Sequence, residues 1–378
     1  MFQQVASPRR RVPERTKART QDNRVHNRSL VLATLYHQGA MTRSELTRTS
    51  GLTAPTVSAL VGELVADGLV AESGPREGPR LGKPANLLRI DDGGVSLVVL
   101  DLSHSDRFLG AVLDLRGKVV HRAEISLGTA LGSEAFELVF SLADELMAAA
   151  PRRVLGIGVG TPGIVDDLGT IRQAAHLRWI DLPLAEQLGN RYAVPAYVGN
   201  DINLAALGVL RFRQTEARNL MVVSIEHGVG AGLVVGGELV EGEQFAAGEI
   251  GHVTVDDEGE LCVCGRRGCL DLHIAAGPLR QRLESTTEGS QEVLAAAGRS
   301  LGLVLAPIIS VLNLDEVVLT GPADLIDGPF LETAITTARA RTLSPISSSI
   351  QLRSLAGDDD LILLGGACLV LSRQLGIW

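Results

Sequence analysis

Four residues late in the chain carry the clearest chemistry. His252, Cys262, Cys264 and Cys269 follow the spacing H-x9-C-x-C-x4-C. Three thiols and an imidazole in one short loop are soft and borderline donors, the set that suits tetrahedral Zn2+. Gly265 and Gly268 let the backbone turn tightly around an ion. Four protein ligands leave no open position, so the expected role is structural. The other reading of the same spacing is three buried free thiols with a histidine nearby by chance. Cys368 stands apart in the apolar run 361–371 and reads as a core thiol. The N-terminus is polar and arginine-rich, with no apolar segment beside a cleavage site. The expected place is therefore the cytoplasm, where clustered cysteines favour metal over disulfides.

A second chemistry lies at the other end. Residues 1–90 hold 14 Lys and Arg against 7 Asp and Glu, a balance of +7. The remainder balances to −16, giving the net charge of −9. A basic head on an acidic body suggests that the head meets an anion such as nucleic acid; the plainer reading is a solvated basic tail. Around these charges the pattern is helical from Asn23, with Val25, Leu32, Leu35 and Tyr36 on one face and Gly39 as the stop. Thr42-Arg43-Ser44-Glu45 has the form of a capping box that opens a short helix ended by Gly51. Thr53 caps the next helix, Pro55 sits in its first turn, and Val57, Leu60, Val61 and Leu64 form its inward stripe. This is a helix-turn-helix, in which Thr56 and Ser58 would face base edges. Strands at 69–72 and 85–90 flank the segment 73–84, whose Arg76, Arg80 and Lys83 sit among glycine and proline. That segment reads as a wing that places cations against phosphates or the minor groove. Arg28 and Arg43 complete the DNA-facing candidates. A small helical domain that binds protein is the alternative use of the same fold.

Stepping along the remaining 288 residues, the period becomes that of an α/β chain. Strands are expected at 95–102, 108–113 and 118–124, then a helix at about 132–150 and a buried strand at 154–160. A helix follows Asn200-Asp201. The order then recurs: strands at 220–225, 231–235 and 238–240, a long helix at 291–312, and a strand at 316–319. A strand meander, a helix and a strand, appearing twice, imply two related lobes with a ligand cleft between them. Aromatics make up only 3% of the chain, so its cores must be aliphatic. No run of 18 uninterrupted apolar residues exists, so no membrane partner is expected.

The head, from Asn27-Arg28 through Gly68-Leu69-Val70, resembles the winged-helix heads of the bacterial ROK family, named for repressors, open reading frames and kinases. The body is similar to the ROK signature at four places. They are the run from Gly156 to Asp166, Trp179-x-Asp181 with Pro183-Leu184, Val198-Gly199-Asn200-Asp201-Ile202-Asn203, and Gly228-Val229-Gly230-Ala231-Gly232. Gly248-Glu249-Ile250-Gly251-His252 and the cysteine run complete the match. The resemblance implies an actin-like (ribonuclease H-like), two-lobed sugar-kinase-type fold with zinc beside a sugar pocket. It implies that Asp201 stands at the general-base position of the kinases and that Asn200, Glu249 and His252 correspond to hydroxyl ligands. Asp271 stands where the family usually has Glu, and Gly199 where many members have Glu. Taken alone, Asn200-Asp201 would read as a turn or a helix cap, and Glu249 as a solvated carboxylate.

The departures lie on the nucleotide side. The family's Asp-x-Gly-Gly-Thr turn is here Asp101-Leu102-Ser103-His104-Ser105-Asp106, with no glycine to bring backbone N–H groups to the phosphates. Its Gly-Thr-Gly turn is Glu226-His227-Gly228, and its later Gly-Gly is Gly321-Pro322. Glu226 would set an anion beside the triphosphate. No phosphoryl transfer is therefore expected, and Asp201 is a vestigial base. The expected organisation is a disordered basic tail at 1–22, a winged helix-turn-helix at 23–90 and a ROK body at 91–378. The body's lobes span roughly 91–200 with the C-terminal helix, and 201–360. The expected function is a DNA-binding transcriptional regulator, a repressor, that senses a sugar or sugar phosphate. It would bind a palindromic operator as a homodimer or tetramer. Two alternatives use the same residues: an active sugar kinase carrying a DNA-binding head, and a regulator governed by a protein partner.

Overall fold

The computed structural model describes residues 20–75, 86–213, 215–285 and 289–378. The wing cations Arg76, Arg80 and Lys83, and the tail up to residue 19, lie outside the described residues. The chain forms two units: Met1–Ile90 together with Leu375–Trp378, and Asp91–Gln374.

In the first unit α1 (Thr20–Gln38), α2 (Arg43–Ser50) and α3 (Ala54–Ala66) pack on a small antiparallel sheet. Its strands β1 (Met41–Thr42), β2 (Val70–Pro75) and β3 (Asn86–Ile90) run in the order β1-β3-β2. The capping box is present: Thr42 Oγ1 accepts from Glu45 N at 3.3 Å, and Thr42 N donates to Glu45 Oε2 at 2.8 Å. Gly51 closes α2 at φ 70°, and Thr53 caps α3. Val31, Leu32, Leu35, Leu46, Val57, Leu60, Val61 and Leu64 form the core. Val25 was expected in that stripe and is 62% exposed. The first turns of α1 meet α3 through Arg24–Glu63 and Arg28–Asp67 ion pairs, which leaves Val25, one position round the helix, in solvent. Helix α1 also begins at Thr20, inside the segment read as tail. β1 has too few residues to show a period. Leu375–Trp378 join this unit although the sequence reading closes it at residue 90; four residues beyond an apolar helix carry no pattern that assigns them.

In the second unit two five-stranded sheets share one topology. The first contains β4 (Ser96–Asp101), β5 (Arg107–Leu113), β6 (Val119–Ser126), β7 (Val154–Thr161) and β11 (Ala196–Asn200), ordered β11-β7-β4-β5-β6. The second contains β12 (Leu220–Ile225), β13 (Val229–Val235), β14 (Glu238–Leu239), β15 (Glu316–Thr320) and β16 (Gln351–Ser354), ordered β14-β13-β12-β15-β16. Each is an antiparallel meander followed by two parallel strands. A third small sheet of β8 (Ile164–Val165), β9 (Ile171–Ala174) and β10 (Trp179–Leu182) extends the first half.

Helices pack on both faces of both sheets, so the central strands β4, β7, β12 and β15 are buried almost throughout, while the edge strand β6 is largely exposed. On the outer face of the first sheet lie α4 (Ser133–Ala149) and α5 (Leu184–Tyr192), against Val98, Leu100, Ile157 and Val159. Between the sheets run α6 (Asp201–Phe212) and α13 (Leu361–Leu375). Against the outer face of the second sheet pack α7 (Leu270–Ile274), α8 (Ala276–Ser285), α9 (Ser290–Leu312), α10 (Ala323–Ile326) and α11 (Pro329–Arg339), with α12 (Ser344–Ser349) beyond α11. Helix α9 is long and apolar enough to cross a membrane, yet its Val293, Ala297, Leu301, Leu305 and Ile309 are core residues.

The glycine alternation of β7 now has a cause. Ile157 and Val159 face the outer core, while Gly156, Gly158 and Gly160 face α13. A Cβ on Gly158 would stand 2.5 Å from Gly366 O, and one on Gly160 would stand 2.3 Å from Ile362. On β13 a Cβ at Gly232 would stand 2.4 Å from Ile202 O of α6. Alternating glycines therefore let two helices lie close against two sheets. Cys368 is 2% exposed in this layer, and burial pushes its thiol up to about 12.

Candidate functional site

The metal loop follows the short 3-10 turn Ile250–His252. Ligand atoms of His252, Cys262, Cys264 and Cys269 all lie within 4.8 Å of one another. His252 Nδ1 is 3.7 Å from Cys262 Sγ, and Cys264 Sγ is 3.6 Å from Cys269 Sγ. Ligands about 2.0–2.3 Å from a tetrahedral Zn2+ stand roughly 3.5–3.8 Å apart, so the donor set fits that ion. A Cβ on Gly268, at φ 58°, would stand 1.7 Å from Asp256 O, so only glycine permits this fold of the loop. Burial pushes the Cys269 thiol up, which a cation would reverse.

The carboxyl ends of three parallel strands, β4, β7 and β11, build a second polar group. Asp101 ends β4 opposite Gly160, while Gly199 and Asn200 of β11 pair with Gly160 and Thr161. This register brings Asp101, Asn200 and Asp201 to one edge, the usual place for a ligand in such a sheet. Asn200 caps α6: its Oδ1 accepts from Ile202 N and Asn203 N, each at 3.0 Å. Its Nδ2 donates to Gly163 O and to Asp201 Oδ1, also at 3.0 Å. The cap reading and the ligand reading of Asn200 thus coexist, with most of its hydrogen-bonding capacity already used. Burial, then the nearby Asp101 and Glu249, push the Asp201 carboxyl up to about 7. Glu249 is exposed and reaches this group from the turn before His252. Asp271, at the start of α7, accepts from Val229 N at 2.7 Å. That bond spends one carboxylate oxygen on holding β13 to the metal loop. A Cβ at Gly199 would stand 3.1 Å from Leu204.

Next to this group, on the β4 side, stand further acids and imidazoles. Asp101 is 1% exposed; its Oδ1 accepts from Ser103 N at 2.9 Å, and its Oδ2 lies 3.5 Å from His104 Nε2. The bond to Asp101 holds the His104 imidazole above its usual range in spite of burial. Burial raises Glu226, and His227 and His104 pull it the other way. Sequence reasoning passed over His176, which burial and the neighbouring His227 push down. Only its place in the turn Ala175–Leu177 reveals it, since an isolated histidine carries no sequence signal.

In the head, Ser58 is exposed on α3, and Thr56 shares a 2.8 Å hydrogen bond with Thr53. Arg28 and Arg43 are engaged: Arg28 with Asp67 at 2.7 Å, Arg43 with Glu72. Exposed ion pairs of this kind are worth about 0–1 kcal/mol, so a phosphate can displace the carboxylate. Arg48, exposed in the last turn of α2, was not singled out from sequence.

The ROK family model matches residues 105–372. The chain belongs to the ROK family. The MarR family model matches residues 26–78, over the helix-turn-helix. Among ROK relatives, a xylose repressor of Caldicellulosiruptor bescii is 25% identical over 92% of this chain and 96% of that protein. A glucokinase of Halalkalibacterium halodurans is 29% identical over 58% of this chain and 77% of that protein. A solved ROK family transcriptional regulator, described as a homologue of the Escherichia coli Mlc protein, superposes with a TM-score of 0.82 at 22% identity. It covers 94% of this chain and 98% of its own, and shows that the fold extends through head and body. The ROK relatives thus include repressors, which span both units, and a kinase, which matches a shorter stretch.

Proposed function

We propose that this ROK chain is a DNA-binding transcriptional repressor that answers to a carbohydrate and transfers no phosphoryl group. The observation that carries the reading is the contrast between two neighbouring groups of side chains. At one end Asn200, Asp201 and Glu249 converge as acceptors and donors for hydroxyl groups. At the other, His104 with the Asp101 that adjoins Asp201, and Glu226 with His227, are the side chains found where the ROK resemblance puts a nucleotide's phosphates, which would need backbone N–H groups and cations.

Thr56 and Ser58 read base edges, and Arg28, Arg43, Arg76, Arg80 and Lys83 meet phosphates. A homodimer places two heads on a palindromic operator, because two-fold protein symmetry matches two half-sites. Asn200, Asp201, Glu249 and Asp271 hold the sugar, with His252 beside them as a ligand of the metal loop. Zn2+ held by His252, Cys262, Cys264 and Cys269 would fix the loop that carries Glu249. The repressor works in the cytoplasm, on the nucleoid when bound. Regulation requires the sugar to prefer one arrangement of the heads; equal affinity for both would change nothing.

One feature favours a kinase: a carboxyl with its pKa near 7 is well suited to act as a general base. ATP consumption against a panel of aldoses separates the two readings. The repressor reading expects no turnover in the parental protein, and fluorescence anisotropy should show its release from operator DNA by one of the same sugars. Turnover that disappears in Asp201→Asn would replace the repressor reading with the kinase.

A further inference from the structure

The chain passes between the two units twice, at Ile90–Asp91 and at Gln374–Leu375. The first passage is a turn, Asp91–Gly94, closed by a hydrogen bond from Gly94 N to Asp91 O at 2.9 Å and carrying two glycines. The second is a helix. α13 continues to Leu375, and the residues after it are built into the head. Leu375 is 4% and Ile377 3% exposed. The His37 ring nitrogen lies 2.9 Å from Ile377 O. The Trp378 ring meets Tyr36 edge-on, with centroids 5.4 Å apart, and lies 6.2 Å from His37. Gly376 rests on Ser29 of the same helix. All these partners belong to α1, whose Val31, Leu32 and Leu35 form the head's core.

The other end of α13 is locked to the candidate site. A Cβ on Gly365 would stand 1.8 Å from Leu204 O of α6, and one on Gly208 of α6 would stand 2.3 Å from Leu361 O. α6 begins at Asp201. Cores packed this closely move as bodies and do not deform smoothly.

We propose that Leu375–Trp378 is a positioning element of the DNA-reading head, and that α13 is the rod by which the Asp201 end of the cleft bears on it. This rests on the repressor reading for what the head does. It adds a helical connection to the turn at Asp91–Gly94.

The test uses the full-length zinc-loaded chain and a duplex that it selects from a random DNA library. Trp378→Ala should weaken binding about tenfold or more, equivalent to about 1.4 kcal/mol. Hydrogen exchange in α1 should rise similarly, with zinc content and the body's melting unchanged. Trp378→Phe should restore both, since a phenyl ring keeps the edge-on contact. Inserting Gly-Gly between Gln374 and Leu375 leaves the tail's contacts in place but breaks the rod. It should keep α1 protected while weakening DNA binding to a similar degree. Parental affinity in both Trp378→Ala and the insertion variant would overturn the proposal, as would a Phe variant no better than Ala. Loss of α1 protection on insertion would reduce the tail to a stability element and overturn the rod. If the parental chain selects no duplex, the repressor reading fails, and α1 exchange in Trp378→Ala still decides whether the tail orders the head.

Discussion

Two neighbouring groups of the candidate site, Asn200–Asp201 and the His104, Glu226 and His227 cluster, meet at Asp101 and differ in what their side chains engage. Asn200 and Asp101 end strands of the first sheet, Glu226 follows β12 of the second, and the two sheets repeat one topology. At the hydroxyl end the polar groups are pre-positioned: Asn200 is fixed by four hydrogen bonds, and Asp201 is set among carboxylates. At the other end the turns keep their place in the fold, but their side chains satisfy one another, as Asp101 does with His104 and Ser103. One fold hosts both repressors and a kinase among the ROK relatives, so function has to be argued from the side chains of the site.

The largest expected effect breaks the hydroxyl end from outside. Cys264→Ser or Cys269→Ser should abolish metal binding and lower the melting temperature by roughly 10 °C, a loss of several kcal/mol. Metal analysis of the purified variant checks it, and an unchanged zinc content would remove the site assigned here.

Asp201→Asn sharpens the contrast between the two ends. The native carboxyl titrates at about 7, well above the ordinary carboxylate range of the unfolded chain, so the folded state holds the proton more tightly. Stability from this group is fully present below about pH 4 and is lost as the pH rises through 7. The Asn variant should therefore match the parent at pH 4 and exceed it at pH 8 by roughly 2–4 kcal/mol, read by denaturant melts. It should also lose the sugar response. Equal stabilities at both pH values would show that Asp201 is solvated.

DNA-side effects should be smaller and graded. Arg80→Ala or Lys83→Ala should each reduce the salt slope of binding by about one, whereas Ser58→Ala should change sequence preference more than bulk affinity. Arg43→Ala should cost least, about 1 kcal/mol or less, because Glu72 already engages that guanidinium in the free head. Binding titrations at several salt concentrations order the series, and an Arg43 effect larger than that of Arg80 would invert the assignment.

What was legible in the sequence was local. The Thr42–Glu45 box, the Gly51 stop and the metal spacing are each written within a few residues, and each is present in the structure. The doubled meander was legible because period-2 strands recur in the same order. Four things were not. Val25 fits the helical stripe, but among the described residues it is left 62% exposed. Arg28 and Arg43 look like free cations until Asp67 and Glu72 come across from other elements. The union of Leu375–Trp378 with α1 joins residues more than 330 positions apart, as in the His37–Ile377 contact, and no spacing encodes it. The glycines of β7 were visible as a motif, but their reason, the approach of α13, was not.

The most direct test of the contrast is the melting temperature of the zinc-loaded protein against a panel of aldoses, sugar phosphates and ATP. A sugar at 100 times its dissociation constant stabilises by roughly 2.7 kcal/mol, enough for a clear shift. The account predicts a rise with one sugar and none with ATP. A rise with ATP would contradict the lost phosphate subsite, and a flat response throughout would contradict the sugar site itself.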